Sequence, residues 1–196
     1  MLVLASASTA RARILERCGV AVTIDPAVID EAAIKSREQA GGATAGDCAL
    51  RLAESKARAV APRHHGALVL GADQILESNW RWYDKPVSLA EARSQLEALN
   101  GEEHTLFTAA VVVRDERRLW HCLEQPSLTM RRFTARFLDA YLATMGTRVL
   151  TTVGGYELEG MGAQLMEKVE GDYFSILGLP LLPLLDFLRR EDVILS

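Results

Sequence analysis

The feature that most constrains the fold is an apolar run over residues 67–76, which reads ALVLGADQIL. Successive side chains of a strand point to opposite faces, so a strand that is apolar throughout must be covered on both of them. The run therefore predicts a buried central strand with other elements packed against each face.

Asp73 interrupts this apolar run. An ionisable side chain in such a strand loses its hydration unless a partner compensates for it, so its presence requires an explanation. Two explanations are open at this point. The carboxylate either caps a neighbouring turn at the end of the strand, or it points into a cleft as a general base or metal ligand.

Other segments predict a mixture of strands and helices. Apolar residues 2–5 precede a Ser-rich turn and a helical stretch, a common way of directing backbone N–H groups at an anion. Strands and helices do not alternate strictly, so we expect an α/β (α+β mixed) fold with a mixed sheet and a single domain over residues 1–196. The further predicted elements are a strand over 20–24, helices over 47–61, 88–99, 134–144 and 181–190, a hairpin of strands over 106–113 and 119–123, and a Gly-rich loop around one short strand over 154–162.

The composition is that of an ordinary globular domain. The chain has 196 residues, of which 49% are hydrophobic and 24% charged, enough to bury a core of its own. Its net charge of −4 argues against a protein that binds nucleic acid through a broadly basic surface. Cys18, Cys48 and Cys122 form no CxxC pair, so we expect reduced thiols, which are typical of a cytosolic protein.

Residues 1–7 superficially resemble the cleavage end of a signal peptide. Their apolar run is too short for a secretory leader, no positive charge precedes it, and Arg11 and Arg13 follow closely. No stretch approaches the roughly 18 apolar residues that a membrane-spanning helix needs. We therefore expect a soluble, cytoplasmic protein without a membrane partner.

Three cations are candidates for binding an anion. Arg11 follows the Ser-rich turn, Lys56 lies in the predicted helix over 47–61, and Lys85 lies in a loop before a proline. A triphosphate needs several cations to neutralise it, and arginine and lysine supply positive charge in different geometries. Each cation alone is more typical of a solvated surface, and only their convergence on Asp73 would indicate a site.

Glu31 is a candidate metal partner for Asp73. Magnesium is commonly bound by one or two carboxylates together with phosphate oxygens of the substrate. Taken alone, Asp30 and Glu31 form an acidic pair in a predicted loop, and such pairs are more often simply exposed.

The common nucleotide and hydrolase motifs are absent from the sequence. There is no G-x-x-x-x-G-K-[ST] phosphate loop, no G-x-G-x-x-G fingerprint, no H-E-x-x-H and no G-x-S-x-G. The residues by themselves therefore indicate a soluble α/β domain with an anion site and go no further.

Short motifs along nearly the whole chain resemble those of the Maf nucleotide pyrophosphatases. Each motif is weak alone, but they occur together and in the family's order. They are LASASTAR at 4–11, DE at 30–31, KA at 56–57, GADQ at 71–74, KP at 85–86, LNG at 99–101 with His104, GGY at 154–156, Gly160, EG at 170–171 and GLPL at 178–181.

The resemblance implies a fold, an activity and a set of site residues. The implied fold is an elongated mixed sheet flanked by helices, with a cleft between two lobes, similar to the Maf and inosine-triphosphatase enzymes and assembled as a homodimer. The implied enzyme uses a divalent metal cation (Mg²⁺ or Mn²⁺) to hydrolyse the α–β phosphoanhydride of a nucleoside triphosphate, releasing a nucleoside monophosphate and pyrophosphate. The residues implied for phosphate binding are Ser8, Arg11, Lys56 and Lys85. Glu31 and Asp73 are implied as the metal ligands, with Asp73 as the base that acts on the attacking water.

Three positions bear on which base is bound: Ala10, Gln74 and Glu159. Gln74 and Glu159 resemble the branch that acts on 7-methyl-GTP, where a carboxylate suits both the guanine N–H donors and the positive charge of the methylated ring. Ala10 departs from that branch, which commonly has Trp there, and the missing indole would otherwise contribute about 1–2 kcal/mol of cation–π stacking. The resemblance therefore favours 7-methyl-GTP, with a dTTP/UTP-directed enzyme as the alternative.

Two further functions compete with this one. A pool-cleaning pyrophosphatase of the inosine-triphosphate type has a similar fold and prefers deaminated purines. A nucleotide-binding regulator of septum formation or cell division would retain binding with vestigial hydrolysis. The polar set of Arg11, Glu31, Lys56, Asp73 and Lys85 is complete, which favours an enzyme.

Overall fold

The computed structural model describes residues 1–195. Its strands are β1 (Leu2–Leu4), β2 (Val22–Ile24), β3 (Leu68–Ser78), β4 (Arg81–Tyr83), β5 (Glu103–Arg114), β6 (Arg117–Glu124), β7 (Ser127–Met130) and β8 (Met166–Glu170). Its α-helices are α1 (Thr9–Arg17), α2 (Glu31–Ala40), α3 (Ala45–Val60), α4 (Leu89–Leu99), α5 (Ala135–Met145), α6 (Tyr173–Ile176) and α7 (Leu181–Arg190). Short 3-10 helices cover Ala61–Arg63, Gly146–Leu150, Val153–Gly155 and Met161–Leu165.

The described strands form one eight-stranded mixed sheet in the order β2-β1-β3-β5-β7-β8, with β4 paired to β3 and β6 to β5. Strand β1 is parallel to both neighbours, with Leu4 opposite Ile24 on one side and Leu70 on the other. The pairs β3–β4, β5–β6, β5–β7 and β7–β8 are antiparallel. The predicted mixed α/β fold is confirmed.

The residues pack into two compact units. Unit 1 comprises Met1–Gln74, Thr108–Glu124 and the described residues from Asp172 onward. Unit 2 comprises Ile75–Phe107 and Gln125–Gly171. The expectation of a single domain over residues 1–196 stays a prediction.

The packing of unit 1 explains the apolar run in β3. Leu68 and Leu70 belong to a buried cluster that includes Leu15 of α1 and Leu184 of α7. The opposite face of the strand lies against α3, where Gly71 touches the helix backbone. The predicted strand, covered on both faces, is therefore confirmed.

Helix α3 begins with a capping box, in which Thr44 Oγ1 accepts from the Asp47 N–H and the Asp47 carboxylate accepts from the Thr44 N–H. Its buried residues recur with the helical period and include Leu52, Lys56 and Val60. Lys56 therefore occupies a core-facing position of the helix, and only 8% of its surface is exposed.

Helix α2 corrects the expectation that Glu31 lies in a loop. Asp30 is the N-cap, and its Oδ1 accepts from the Ala33 N–H over 2.9 Å, so Glu31 is the first helical residue. No residue of Glu31–Ala40, all of which the structure describes, is buried. The helix was missed because a segment without a buried face has no apolar stripe to reveal it.

The Gly-rich segment over 154–162 is a second correction. In place of the expected short strand, the described chain has the 3-10 helices Val153–Gly155 and Met161–Leu165, and β8 follows them. Gly154 and Gly155 have φ angles of 73° and 68°, in the left-handed region, which is incompatible with extended strand geometry.

Most other predicted elements are confirmed within a few residues. Ser88 caps α4 by accepting from the Glu91 N–H. The Glu91 carboxylate accepts from the Val87 N–H rather than from the Ser88 N–H, so only half of a capping box is formed. The β5–β6 hairpin and α7 lie where the sequence predicts them.

Unit 2 contains a buried histidine–tyrosine pair. His104 Nε2 lies 2.7 Å from Tyr156 Oη, and His104 is 1% exposed. Burial lowers the pKa of His104 to about 4 and raises the pKa of Tyr156. The imidazole is therefore held neutral at neutral pH.

None of the helices within residues 1–195 has both the length and the apolar composition needed to cross a lipid bilayer. Cys18, Cys48 and Cys122 are free thiols, as the sequence predicts.

Candidate active site

Three ionised side chains meet in unit 1. The Lys56 Nζ atom lies 2.6 Å from Asp73 Oδ1 and 2.9 Å from Glu31 Oε1, so one ammonium bridges two carboxylates. The side chains of Lys56 and Asp73 are 11% and 8% exposed, whereas that of Glu31 is 45% exposed. The cluster therefore has a buried end at Asp73 and an open end at Glu31. Of the three cations whose convergence on Asp73 would indicate a site, Lys56 is in direct contact with it.

The close contact between β3 and α3 sets the position of Lys56. A Cβ added to Gly71 would lie 2.0 Å from the Ala53 carbonyl oxygen and 2.8 Å from the Ala57 nitrogen. Only glycine allows the strand and the helix to approach so closely. Since Asp73 is two residues from Gly71, it points to the same face of β3 and meets Lys56.

Arg11 is the second cation of the site. Its Nε donates to the Gly178 carbonyl oxygen over 2.7 Å, and its Nη1 donates to Ser6 Oγ over 3.2 Å. Burial lowers the pKa of Arg11 from its ordinary value, and the charges of Asp73 and Glu31 oppose that decrease. Because arginine stays protonated in proteins, Arg11 adds a fixed positive charge close to the two carboxylates.

The N-terminus of α1 carries two of the predicted residues. Ser8 is its N-cap, and the Ser8 Oγ accepts from the Arg11 N–H over 3.4 Å. Ala10 is exposed in the first turn. The unpaired N–H groups and the helix dipole make such an end favourable for an anion, as the sequence predicted for this turn.

Gln74 points away from Asp73, because adjacent residues of a strand face opposite sides of the sheet. Its Nε2 atom lies within 2.8 Å of Thr108 Oγ1 and 2.9 Å of the Ser175 carbonyl oxygen. The amide of Gln74 is thus bound to other residues of unit 1, and its predicted role in reading the base stays a prediction.

Lys85 and Glu159 belong to unit 2. Lys85 is exposed in the loop between β4 and α4, and Glu159 is exposed in the turn between the 3-10 helices Val153–Gly155 and Met161–Leu165. Their predicted roles at the phosphates and at the base stay predictions.

The donor set of unit 1 fits a divalent cation. Lys56 engages one oxygen of Glu31 and one of Asp73, which leaves the second oxygen of each carboxylate outside the ion pair. Within residues 1–195 no group of three or more His, Cys, Asp or Glu side chains is arranged to hold a metal. A cation at this site would therefore have two carboxylates as protein ligands and would complete its shell with water and phosphate oxygens, as magnesium commonly does.

Sequence reasoning did not assign Ser6 and Gly178 to the site, although both bind the Arg11 guanidinium. Gly178 has a φ of 104°, so its carbonyl is presented from a backbone conformation that glycine adopts without strain. The available signal was the glycine in the GLPL motif directly after a short helical stretch.

Comparison with known proteins finds close relatives over almost the whole chain. A sequence profile of the family described as Maf-like protein matches residues 1–191. The chain is 54% identical to a protein of Paramagnetospirillum magneticum named nucleoside triphosphate pyrophosphatase, over 96% of this chain and 97% of the relative. It is 45% identical to a protein of Rhizobium meliloti named 7-methyl-GTP pyrophosphatase, over 99% of this chain and 98% of the relative.

Proposed function

Because the chain belongs to the Maf-like protein family, we infer that it is an enzyme, a nucleoside triphosphate pyrophosphatase. The observation that carries this inference is the bridging of Glu31 and Asp73 by Lys56 beside the Arg11 guanidinium. The cluster joins a buried carboxylate for proton transfer with cations for phosphate oxygens, the parts that phosphoanhydride hydrolysis requires.

The proposed reaction is cleavage of the α–β phosphoanhydride. A water oxygen attacks the α-phosphorus, its proton passes to the Asp73 carboxylate, and the bond to the bridging oxygen breaks to release pyrophosphate. Negative charge grows on the phosphate oxygens during this step, and positive groups stabilise it. We assign that role to Lys56 and Arg11. We propose Ser8, at the N-terminus of α1, and Lys85 as further residues that bind the phosphates.

Glu31 and Asp73 would hold the divalent cation, Mg²⁺ or Mn²⁺. When bound, such an ion supplies charge neutralisation to the phosphate oxygens. Lys56 keeps the two carboxylates together, and the exposed side chain of Glu31 would leave such an ion accessible to substrate.

We propose 7-methyl-GTP as the preferred substrate. A relative that covers almost the whole chain carries that name, and Gln74 and Glu159 match the residues of that branch. Glu159 would accept hydrogen bonds from guanine N1–H and N2–H₂ and oppose the charge of the methylated ring. A preference for dTTP or UTP is the alternative, and Ala10 departs from the Trp that is common in the 7-methyl-GTP branch.

We also propose that the enzyme is a cytoplasmic homodimer that binds neither membranes nor nucleic acid. The net charge of −4 supports the absence of a nucleic-acid partner. Light scattering after size-exclusion chromatography tests the assembly: twice the mass of the 21.5 kDa chain supports it, and a monomer overturns it.

Pyrophosphate release is the experiment that tests the function. It is measured with 7-methyl-GTP, UTP, dTTP, CTP and ITP, in magnesium and in manganese. Asp73→Asn should abolish release while nucleotide binding, measured by calorimetry, persists. Asp186→Asn is the matched control, because this exposed carboxylate pairs with Arg190 on its own helix, and the variant should remain active. Activity of Asp73→Asn near that of the control would remove Asp73 as the base, and no release from any nucleotide would overturn the proposed function.

A further inference from the structure

The side-chain amide of Gln74 faces a cluster of acceptors on the side of β3 opposite to Asp73. Its Nε2 lies 2.8 Å from Thr108 Oγ1, 2.9 Å from the Ser175 oxygen and 3.2 Å from the Ile176 oxygen. Only the NH₂ end of an amide can donate to two carbonyls, so these contacts fix the orientation of the side chain.

The Ser175 carbonyl oxygen is the centre of this cluster. Besides Gln74, it accepts from Thr108 Oγ1 over 2.8 Å and from the Gly178 N–H over 3.0 Å. The Ser175 N–H and Oγ both donate to Asp172 Oδ2 over 2.7 Å. Ser175 and Thr108 are fully buried, so water does not compete for these bonds.

Gly178 connects this cluster to Arg11 through hydrogen bonds. Gly178 donates its N–H to the Ser175 oxygen and accepts from Arg11 Nε through its own carbonyl. Nε is bound to Gly178 and Nη1 to Ser6, and within residues 1–195 no hydrogen bond engages Nη2, so that end of the guanidinium can meet an anion. A shift of the segment 175–178 would therefore displace the arginine.

We propose that Gln74 is a positioning residue for phosphate binding, which fixes the Ser175–Gly178 turn and, through the Gly178 carbonyl, the Arg11 guanidinium. The inference rests on the proposed function of Arg11 as a phosphate ligand. It assigns Gln74 to the part of the substrate common to all nucleotides, whereas the sequence-based prediction assigns it to the base.

Tripolyphosphate separates these two roles, because it has the phosphates of the substrate without a base. The variant is Gln74→Met, which has a similar length and cannot donate. We expect its KM to rise about tenfold for every nucleotide, the size expected for a weakened hydrogen bond to a charged group. The inhibition constant of tripolyphosphate should rise by the same factor, the ranking of nucleotides should be unchanged, and kcat should change less than KM.

Two outcomes would overturn the inference. One is an altered ranking of nucleotides with an unchanged inhibition constant for tripolyphosphate, which would assign Gln74 to the base. The other is a Gln74→Met enzyme in which neither KM nor the inhibition constant moves.

A double mutant tests whether Gln74 acts through Arg11. Arg11→Lys removes the Nε–H that binds Gly178, so the side chain at position 11 is no longer positioned by the Ser175–Gly178 turn. In that background Gln74→Met should weaken tripolyphosphate binding less than twofold, because residues on one path have non-additive effects. Full additivity of the two changes would contradict the inference.

Asn100→Leu is the matched control for loss of amide hydrogen bonds. Asn100 binds the N–H and the carbonyl of Phe133, both over 2.9 Å, and it lies in unit 2. Its replacement should lower the unfolding midpoint without changing the inhibition constant of tripolyphosphate. If Asn100→Leu weakened tripolyphosphate as much as Gln74→Met, the effect would be general destabilisation and the inference would fail.

Thr108→Val replaces Gln74→Met if the latter does not fold. It removes another donor to the same Ser175 oxygen, so tripolyphosphate binding should weaken in the same direction, and unchanged binding would contradict the inference. Calorimetry with tripolyphosphate requires no turnover. A wild-type protein that binds tripolyphosphate but releases no pyrophosphate from any nucleotide would therefore overturn the proposed function without deciding the role of Gln74.

Discussion

Gly71 lies so close to Ala53 that a single added carbon atom would be 2.0 Å from the Ala53 carbonyl oxygen. The contact is backbone against backbone, so no flexible side chain can move aside to relieve it. In Gly71→Ala we expect α3 to move away from β3, which lengthens the 2.6 Å contact between Lys56 and Asp73. Overpacking of this kind costs about 1–3 kcal/mol of unfolding free energy.

Urea unfolding and pyrophosphate release together measure the effect of Gly71→Ala. We expect activity to fall by more than the unfolded fraction explains. Gly41→Ala is the control, because its added carbon would lie 3.4 Å from the Arg37 oxygen, a contact that a small shift relieves. A Gly71→Ala enzyme as stable and active as Gly41→Ala would show that the close contact does not set the site geometry.

Lys56→Met leaves two carboxylates close together without their shared ammonium. Removing one partner of a buried ion pair costs about 3–5 kcal/mol, so we expect a marked loss of stability together with loss of activity. A divalent ion can replace the missing charge. Added Mn²⁺ should therefore raise the unfolding temperature of Lys56→Met by more than that of the wild type.

The control for Lys56→Met is Lys168→Met, because Lys168 forms an exposed pair with Glu170. Surface pairs contribute about 0–1 kcal/mol, so stability should hardly change and Mn²⁺ should have no added effect. Equal responses of the two variants to Mn²⁺ would argue against a cation between Glu31 and Asp73.

The buried imidazole of His104 makes stability depend on pH. Its pKa is about 4 in the folded protein against 6.5 for an ordinary histidine, so protonation favours the unfolded chain. The stabilisation of the folded state by the neutral imidazole is fully present above pH 6.5 and is lost as the pH falls toward 4. The free energy of unfolding should decrease by about 3 kcal/mol over this range. The measurement is urea unfolding across this range.

His104→Gln removes the titrating group and can still contact Tyr156, so the loss of stability between pH 6.5 and 4 should be much smaller than in the wild type. The titration of Asp25 does not contribute to the stability change in this pH range. Its hydrogen bonds to Arg63 and His64 lower its pKa from 3.8 to about 2, so its effect falls below the window of His104. An equal decrease in both proteins would rule out His104 as its source.

Glu159→Gln tests the assignment of the base. An amide no longer opposes the positive charge of a methylated guanine, so preference should move away from 7-methyl-GTP, while hydrolysis of the other nucleotides continues. The measurement is kcat/KM across the nucleotide panel. An unchanged ranking would remove Glu159 from the specificity argument.

The parts of the site that the sequence predicts are those with a local pattern. Asp73 interrupts an apolar strand and so differs from its sequence neighbours, whereas Lys56, a cation within a predicted helix, is assigned to the site only by the family resemblance. Glu31 was assigned to a loop, because a helix with no buried face carries no periodic signal. The bond from Gln74 to Ser175 joins residues 101 positions apart, a distance over which no local rule applies.

The exposure of helix α2 distinguishes the two carboxylates that Lys56 holds. A helix without a buried face gains little from packing, so its amide hydrogens should exchange with solvent through local opening, far below the free energy of global unfolding. Asp73 lies in a strand whose neighbours are almost completely buried, and its amide should exchange only when unit 1 opens. Glu31 can thus leave the shared ammonium while Asp73 stays in place, so the two halves of one ion cluster differ in kinetic lifetime.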